Sequence, residues 1–112
     1  MTAPRLSRRL ILEAPERVGD GSGGFVIEWQ TLGLLWAQIV PRTGRETATS
    51  GAAISQMSYR IIVRGAPSGS IERPKPEQRF REGDRLFLIQ AVAEEDPEGR
   101  YLACFATEET AI

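Results

Sequence analysis

Apolar and polar positions alternate with a period of two along most of this chain, and no stretch makes a persuasive long helix. The clearest run sets Met57, Tyr59, Ile61 and Val63 against Ser58, Arg60, Ile62 and Arg64, the pattern of a half-buried strand. In residues 85–93, Leu86, Leu88 and Val92 oppose Phe87, Ile89 and Ala91. A strand apolar on both faces is expected centrally or at a subunit contact. Residues 100–107 place Tyr101, Ala103 and Phe105 opposite Leu102, Cys104 and Ala106, and Arg79-Phe80-Arg81 leads into an Glu82-Gly83-Asp84 turn. Nearer the N-terminus, Phe25, Ile27 and Trp29 alternate with Val26, Glu28 and Gln30, and Leu34, Trp36 and Gln38 with Leu35, Ala37 and Ile39. Thr31-Leu32-Gly33 between them predicts a hairpin that ends at Pro41, with Trp29 and Trp36 in the core. Residues 5–13 alternate imperfectly through Leu6, Leu10 and Leu12. Pro4 and Pro15 on either side favour a first strand over a helix.

The segments between these strands carry the turn chemistry. Residues 18–24 contain four glycines and read as a flexible turn. A phosphate-cradling loop is disfavoured there, because no Gly-Lys-Ser/Thr follows and the next element is a strand rather than a helix N-terminus. Residues 42–56 are rich in Thr, Ser, Gly and Ala and predict a long projecting loop that orders against a neighbouring subunit, with a merely mobile loop as the alternative. A second long loop, residues 65–78, includes Pro74-Lys75-Pro76, which predicts a stiff, extended segment. The acidic turn at 94–99 is expected to be solvated rather than catalytic or metal-binding, and the acidic residues 108–112 to fray. The sum is an all-β domain spanning 1–112: a small antiparallel β-barrel or sandwich of five to six or more strands with two long loops. Closure into a barrel is favoured because it removes edge strands.

Composition narrows the chemistry. The chain has no histidine, so Ser-His-Asp and Cys-His arrangements are impossible within it. Its single cysteine, Cys104, excludes an internal disulfide and reads as a small core residue. A net charge of −1 argues against tight, counterion-driven nucleic-acid binding, although thirteen of the fourteen basic residues are Arg, a type suited to planar interface contacts. No apolar run is long enough for a membrane-spanning helix, and no secretory signal is evident. No enzyme activity, cofactor or metal is expected.

Several short motifs occur in a fixed order: Leu6, Arg9 and Leu10; Gly23-Gly24 before a strand ending in Trp29; Trp36-Ala37-Gln38-Ile39; Gly44-Arg45-Glu46; and an apolar strand flanked by Arg60 and Arg64. Over residues 6–108 this order resembles the head-tail joining (head-completion, or stopper) proteins of tailed bacteriophages. The second long loop is longer than is usual in that family. The resemblance implies a structural protein of the virion neck, made in the bacterial cytoplasm, of a phage, a prophage or a gene-transfer particle. Its copies would form a cyclic ring, a hexamer or a dodecamer, with a portal or adaptor ring above and a tail terminator or tail tube below. Such a ring retains packaged DNA, docks the tail and lets double-stranded DNA pass without reading its sequence, with no membrane involved. Gly44, Arg45, Glu46, Thr47 and Ser50 would then make a subunit or layer contact, Arg45 and Glu46 by charge pairing. Arg73, Lys75 and Gln78 on the second loop would face the channel or a neighbour. The alternative is a small barrel that binds single-stranded nucleic acid or a protein partner, using an exposed face of Tyr59, Arg60, Arg64 and Phe80.

Overall fold

The computed structural model describes residues 3–49 and 52–111. Six strands make up the fold: β1 Arg8–Gly19, β2 Phe25–Thr49, β3 Ala52–Arg64, β4 Arg79–Glu82, β5 Arg85–Glu94 and β6 Tyr101–Ala111. All neighbours are antiparallel, in the order β1-β2-β3-β6-β5-β4, and β4 pairs back onto β1 to close a barrel. The all-β expectation is met.

Inward-facing residues of every strand meet in one core: Leu10 and Leu12 from β1, Ala37 from β2, Tyr59, Ile61 and Val63 from β3, Phe80, Phe87 and Ile89, and Leu102, Cys104 and Ala106 from β6. The ring of Tyr59 stands edge-on to Phe87, with centroids 5.3 Å apart. Cys104 lies within this core, and burial pushes its thiol up to about 12. In β5 a bulge between Ile89 and Ala91 moves Val92 onto the core-facing side, against the simple alternation read from the sequence.

Four segments differ from the sequence reading. The hairpin expected around residues 31–33 does not form. β2 runs straight through it, paired with β1 from Gly19↔Phe25 to Arg8↔Ala37, and the chain turns instead at 20–24. There the Asp20 carboxylate accepts the backbone N–H groups of Ser22 and Gly24. Gly33 marks a bulge in the ladder, a role glycine serves in a strand as readily as a turn. Pro15 is tolerated inside β1 because β4 accompanies that strand only at Ile11–Glu13, so the missing N–H costs no second ladder.

The projecting loop expected at 42–56 is also strand. β2 and β3 stay paired from Thr43↔Ser58 to Thr49↔Ala52, forming a hairpin arm beyond the point where β1 begins, at Arg8↔Ala37. Its threonines are good strand formers, and an arm that leaves the barrel needs no apolar alternation. The tail follows it, since β6 pairs with β3 as far as Ile54↔Ala111 and is not a frayed end.

The second loop, 65–78, is a loop but not an extended one. Successive turns fold it, with Ser70 N–H donating to Pro67 O, Arg73 N–H to Ser70 O and Gln78 N–H to Lys75 O. Pro76 supplies the fixed φ of the last turn and Glu77 adopts φ 75° behind it, a type II arrangement. Gly65 starts the loop where the chain passes closest to the 99–100 backbone, donating to Arg100 O at 2.7 Å.

Barrel closure is secured at the β1–β4 seam. Glu13, 5% exposed, receives Arg79 Nε at 2.7 Å on one oxygen and Arg81 Nε at 2.9 Å on the other. Burial works against the carboxylate, but the two arginine hydrogen bonds outweigh it and hold its pKa below the usual value.

Two outcomes are expected. Glu13→Gln should cost about 2–3 kcal/mol in urea unfolding at pH 7, less than a fully buried pair because Arg81 is partly exposed. The Glu13 contribution is complete above the unfolded carboxylate value of roughly 4.3 and is lost as pH falls through the depressed folded value. The stabilities of wild type and variant should therefore converge below about pH 4. Gly65→Ala should lower stability by about 1–3 kcal/mol, since a Cβ there meets the Gly99 carbonyl oxygen, which is backbone and cannot swing away.

Candidate assembly surface

Pairing registers determine what the barrel shows to its surroundings. Residues directly opposite one another on antiparallel strands share a face. One outward row therefore runs Leu34–Ile11–Arg81–Leu86 across four strands, and the next runs Thr31–Glu13–Arg79–Leu88. Leu86 and Leu88 are exposed, which explains why β5 reads as apolar on both faces. Along β2 the same outward side carries Phe25, Ile27, Trp29, Leu34 and Trp36. Four of them are about half exposed: Phe25 61%, Ile27 52%, Leu34 48% and Trp36 49%. An apolar ridge of this length is unusual on a protein that works alone.

The two tryptophans thus belong to this ridge and not to the core. Arginines from other strands cover the ridge aromatics: Arg79 lies 3.9 Å from the Trp29 ring centroid, Arg17 4.2 Å from Phe25 and Arg9 5.8 Å from Trp36. Neither tryptophan has a basic neighbour on its own strand, so only the register of β1 and β4 brings these cations in. The signal available in sequence was two short series of large apolar residues at alternate positions of β2, Phe25-Ile27-Trp29 and Leu34-Trp36, which the bulge at 31–33 brings onto one side.

Projecting elements leave the barrel at opposite ends. The β1–β2 tip (residues 14–30) leaves at one end, together with the loop 65–78 and the acidic turn. The β2–β3 arm leaves at the other, rooted in a charged clasp. Arg85 gives Glu108 a two-pronged contact, Nε–Oε2 2.8 Å and Nη2–Oε1 3.1 Å, and Tyr59 donates its hydroxyl to the same carboxylate at 3.0 Å. Glu82 receives Arg8 in the same two-pronged way, at 2.7 and 2.6 Å. The Arg85 hydrogen bonds lower the Glu108 pKa, and the Arg8 hydrogen bonds lower that of Glu82. Burial, aided by Glu108, raises that of Tyr59.

The site residues inferred from sequence fall in two separate places. Gly44, Arg45, Glu46 and Thr47 lie on the β2 side of the arm, where their backbones pair with Met57, Gln56, Ser55 and Ile54. Ser50 lies outside the described residues. In the loop 65–78, Arg73 donates to Ala66 O at 2.8 Å and Gln78 accepts the Lys75 N–H at 3.0 Å, while Lys75 is exposed. The arm and this loop are not brought together. The face imagined for nucleic-acid binding does not form, because Tyr59 is 7% exposed and Phe80 fully buried. Both point inward on strands whose alternation places Arg60, Arg79 and Arg81 outside. The acidic turn is partly structural: Asp96 accepts the Tyr101 N–H and Glu95 pairs with Arg60 at 2.6 Å. Among the described residues no group of three or more His, Cys, Asp or Glu could hold a metal ion.

No curated protein matches the chain. A family model described as phage head completion protein matches residues 1–109. Among solved structures, a chain from the virion of a native gene transfer agent particle is 49% identical and superposes with a TM-score of 0.89, the match covering 98% of this chain and 100% of that one. A six-stranded barrel with a half-exposed apolar ridge and an element projecting from each end suits a protein that works inside an assembly. With nearly its whole length matched, the chain belongs to the phage head completion protein family, structural proteins of the virion.

Proposed function

We propose that copies of this protein form a cyclic ring in the neck of the particle, beneath the portal or adaptor ring and above the tail, where the ring retains packaged DNA and docks the tail. The observation that carries this reading is the half-exposed apolar ridge of β2, which a single copy leaves in water. Repeated around a ring, a modest contact of this kind becomes a cooperative assembly without any one very adhesive interface. The opposed directions of arm and tip support a layer that touches one neighbour above and another below. The solved relative belongs to a gene transfer agent virion, which supports the same setting for this chain. A net charge of −1 suits a ring that must let DNA through without gripping it.

On this reading Gly44, Arg45, Glu46, Thr47 and Ser50 contact the adjacent subunit or layer, with Arg45 and Glu46 pairing by charge. Arg73, Lys75 and Gln78 lie toward the channel or a neighbouring layer.

Electron microscopy of particles from a strain lacking the protein should show separate tails beside tailless heads, many emptied of DNA. Normal tailed, DNA-filled particles would overturn the joining role. Arg45→Ala should reduce joined particles at least tenfold while the purified variant keeps the melting temperature of wild type. Full joining by a folded Arg45→Ala protein would remove the arm contact from the proposal.

A further inference from the structure

Beside Trp36 the surface is notched. The free edge of β2 at Gly33–Trp36, the N-terminal Leu6 and the start of the 65–78 loop enclose about 610 Å³, lined by Leu6, Leu34, Trp36 and Ala66 with Arg64 and Glu72 on the rim. The edge is free because β3 joins β2 only from Ala37 onward, leaving residues 25–36 with β1 on one side alone. Arg64 is exposed and has no hydrogen bond, ion pair or ring partner among the described residues, and Arg9 flanks Trp36 from β1. The notch thus offers an apolar lining with an aromatic ring and one cation, Arg64.

The β1–β2 tip has the complementary character. It projects as a two-stranded ribbon, a form with little stability of its own in water. Phe25, Val26 and Ile27 are all about half exposed there. Glu16 and Glu28 stand directly opposite each other across the ribbon, a repulsive arrangement, and neither has a cation among the described residues. Phe25 and Trp36 are eleven positions apart on one strand, roughly 35 Å, so a copy cannot fill its own notch.

We propose that the notch of one copy receives the β1–β2 tip of the next, with Val26 against Leu34 and Trp36, and Glu28, on the same face of the ribbon as Val26, meeting Arg64. This contact is head-to-tail: each copy gives a tip and accepts one, the geometry that closes into a ring. A two-fold contact between tips would instead bring four unpaired carboxylates together. Nucleic acid fits the notch less well, because Glu72 on its rim repels phosphate while it can be accommodated in a protein contact. The inference rests on the ring proposed above and names the surfaces that form it.

The test uses cysteine pairs in assembled particles, where the native Cys104 is buried and silent. Particles carrying Glu28→Cys together with Arg64→Cys should, on mild oxidation, give a ladder of linked copies ending at the closed ring, and neither single variant should link. Only monomers from oxidised particles that retain tails and DNA would overturn the tip-in-notch contact and leave the ring itself standing. Linked dimers from Glu28→Cys alone would replace it with a two-fold contact. A second measurement reads the charges: Glu28→Arg or Arg64→Glu should each reduce joined particles at least tenfold, and the two together should restore them. Salt-sensitive oligonucleotide binding abolished by Trp36→Ala, without restoration by the paired charge reversal, would give the notch to nucleic acid instead.

Discussion

The barrel closes through three residue pairs, Ile11↔Arg81, Leu12↔Phe80 and Glu13↔Arg79, and the rest of the structure depends on that seam. β4 is only four residues long, so its backbone bonds alone give a narrow closure. Phe80 anchors it from inside the core, and Glu13 clamps it from outside between Arg79 and Arg81. Without the seam, β1 and the β4–β5 pair become open edges, which small β domains must close or guard. Arg79 performs a second task, since its guanidinium also lies over Trp29 at the root of the tip. One buried carboxylate thus fixes both the closed wall and the base of an element that projects from it.

β2 joins the two halves of the molecule. It pairs with β1 along its first half and with β3 along its second, and at Ala37 it has both neighbours and is fully buried. Past that point in either direction it has a partner on one side only. The tip and the arm are therefore consequences of a single strand that outlasts the barrel at both ends. The Arg85–Glu108–Tyr59 clasp sits where the arm leaves, so the arm's direction is fixed by charge-assisted bonds to the wall.

Where a strand buries one face, the sequence announced it. Residues 57–64 and 101–107 alternate cleanly because one side of each meets the core, and both were legible. Glu13 gave no such sign: a carboxylate in an apolar strand becomes intelligible only beside Arg79 and Arg81, far away in the chain. Gly33 misled for a related reason, since a glycine accommodates a turn or a bulge and only the register with Leu12 decides between them. The arm looks like a loop in sequence because pattern reports contact with a core, and a paired hairpin outside the barrel has none. The ridge was hidden in plain view. Phe25, Ile27, Trp29, Leu34 and Trp36 look like a buried face, and the alternation cannot say whether the face points into this molecule or out toward another.

That ambiguity reflects the demands on an assembly protein. On the assembly reading proposed above, the ridge must be apolar enough to stabilise a contact yet stay hydrated in each newly made copy. The three ridge aromatics each have an arginine over the ring, a contact worth about 0.5–1 kcal/mol at an exposed site. Such cover is weak enough to yield or rearrange when a neighbour arrives, and strong enough to place a hydrated charge over each apolar patch until then. Arginine suits the task better than lysine, because its flat guanidinium can stay stacked on the ring while its edge donates to a carboxylate. The arginine-rich composition, which supplies Arg79 and Arg81 to the seam and Arg85 to the clasp, thus matters a second time on the outer wall, where in the assembly proposed above the same chemistry can shield the ridge and then bind a neighbour.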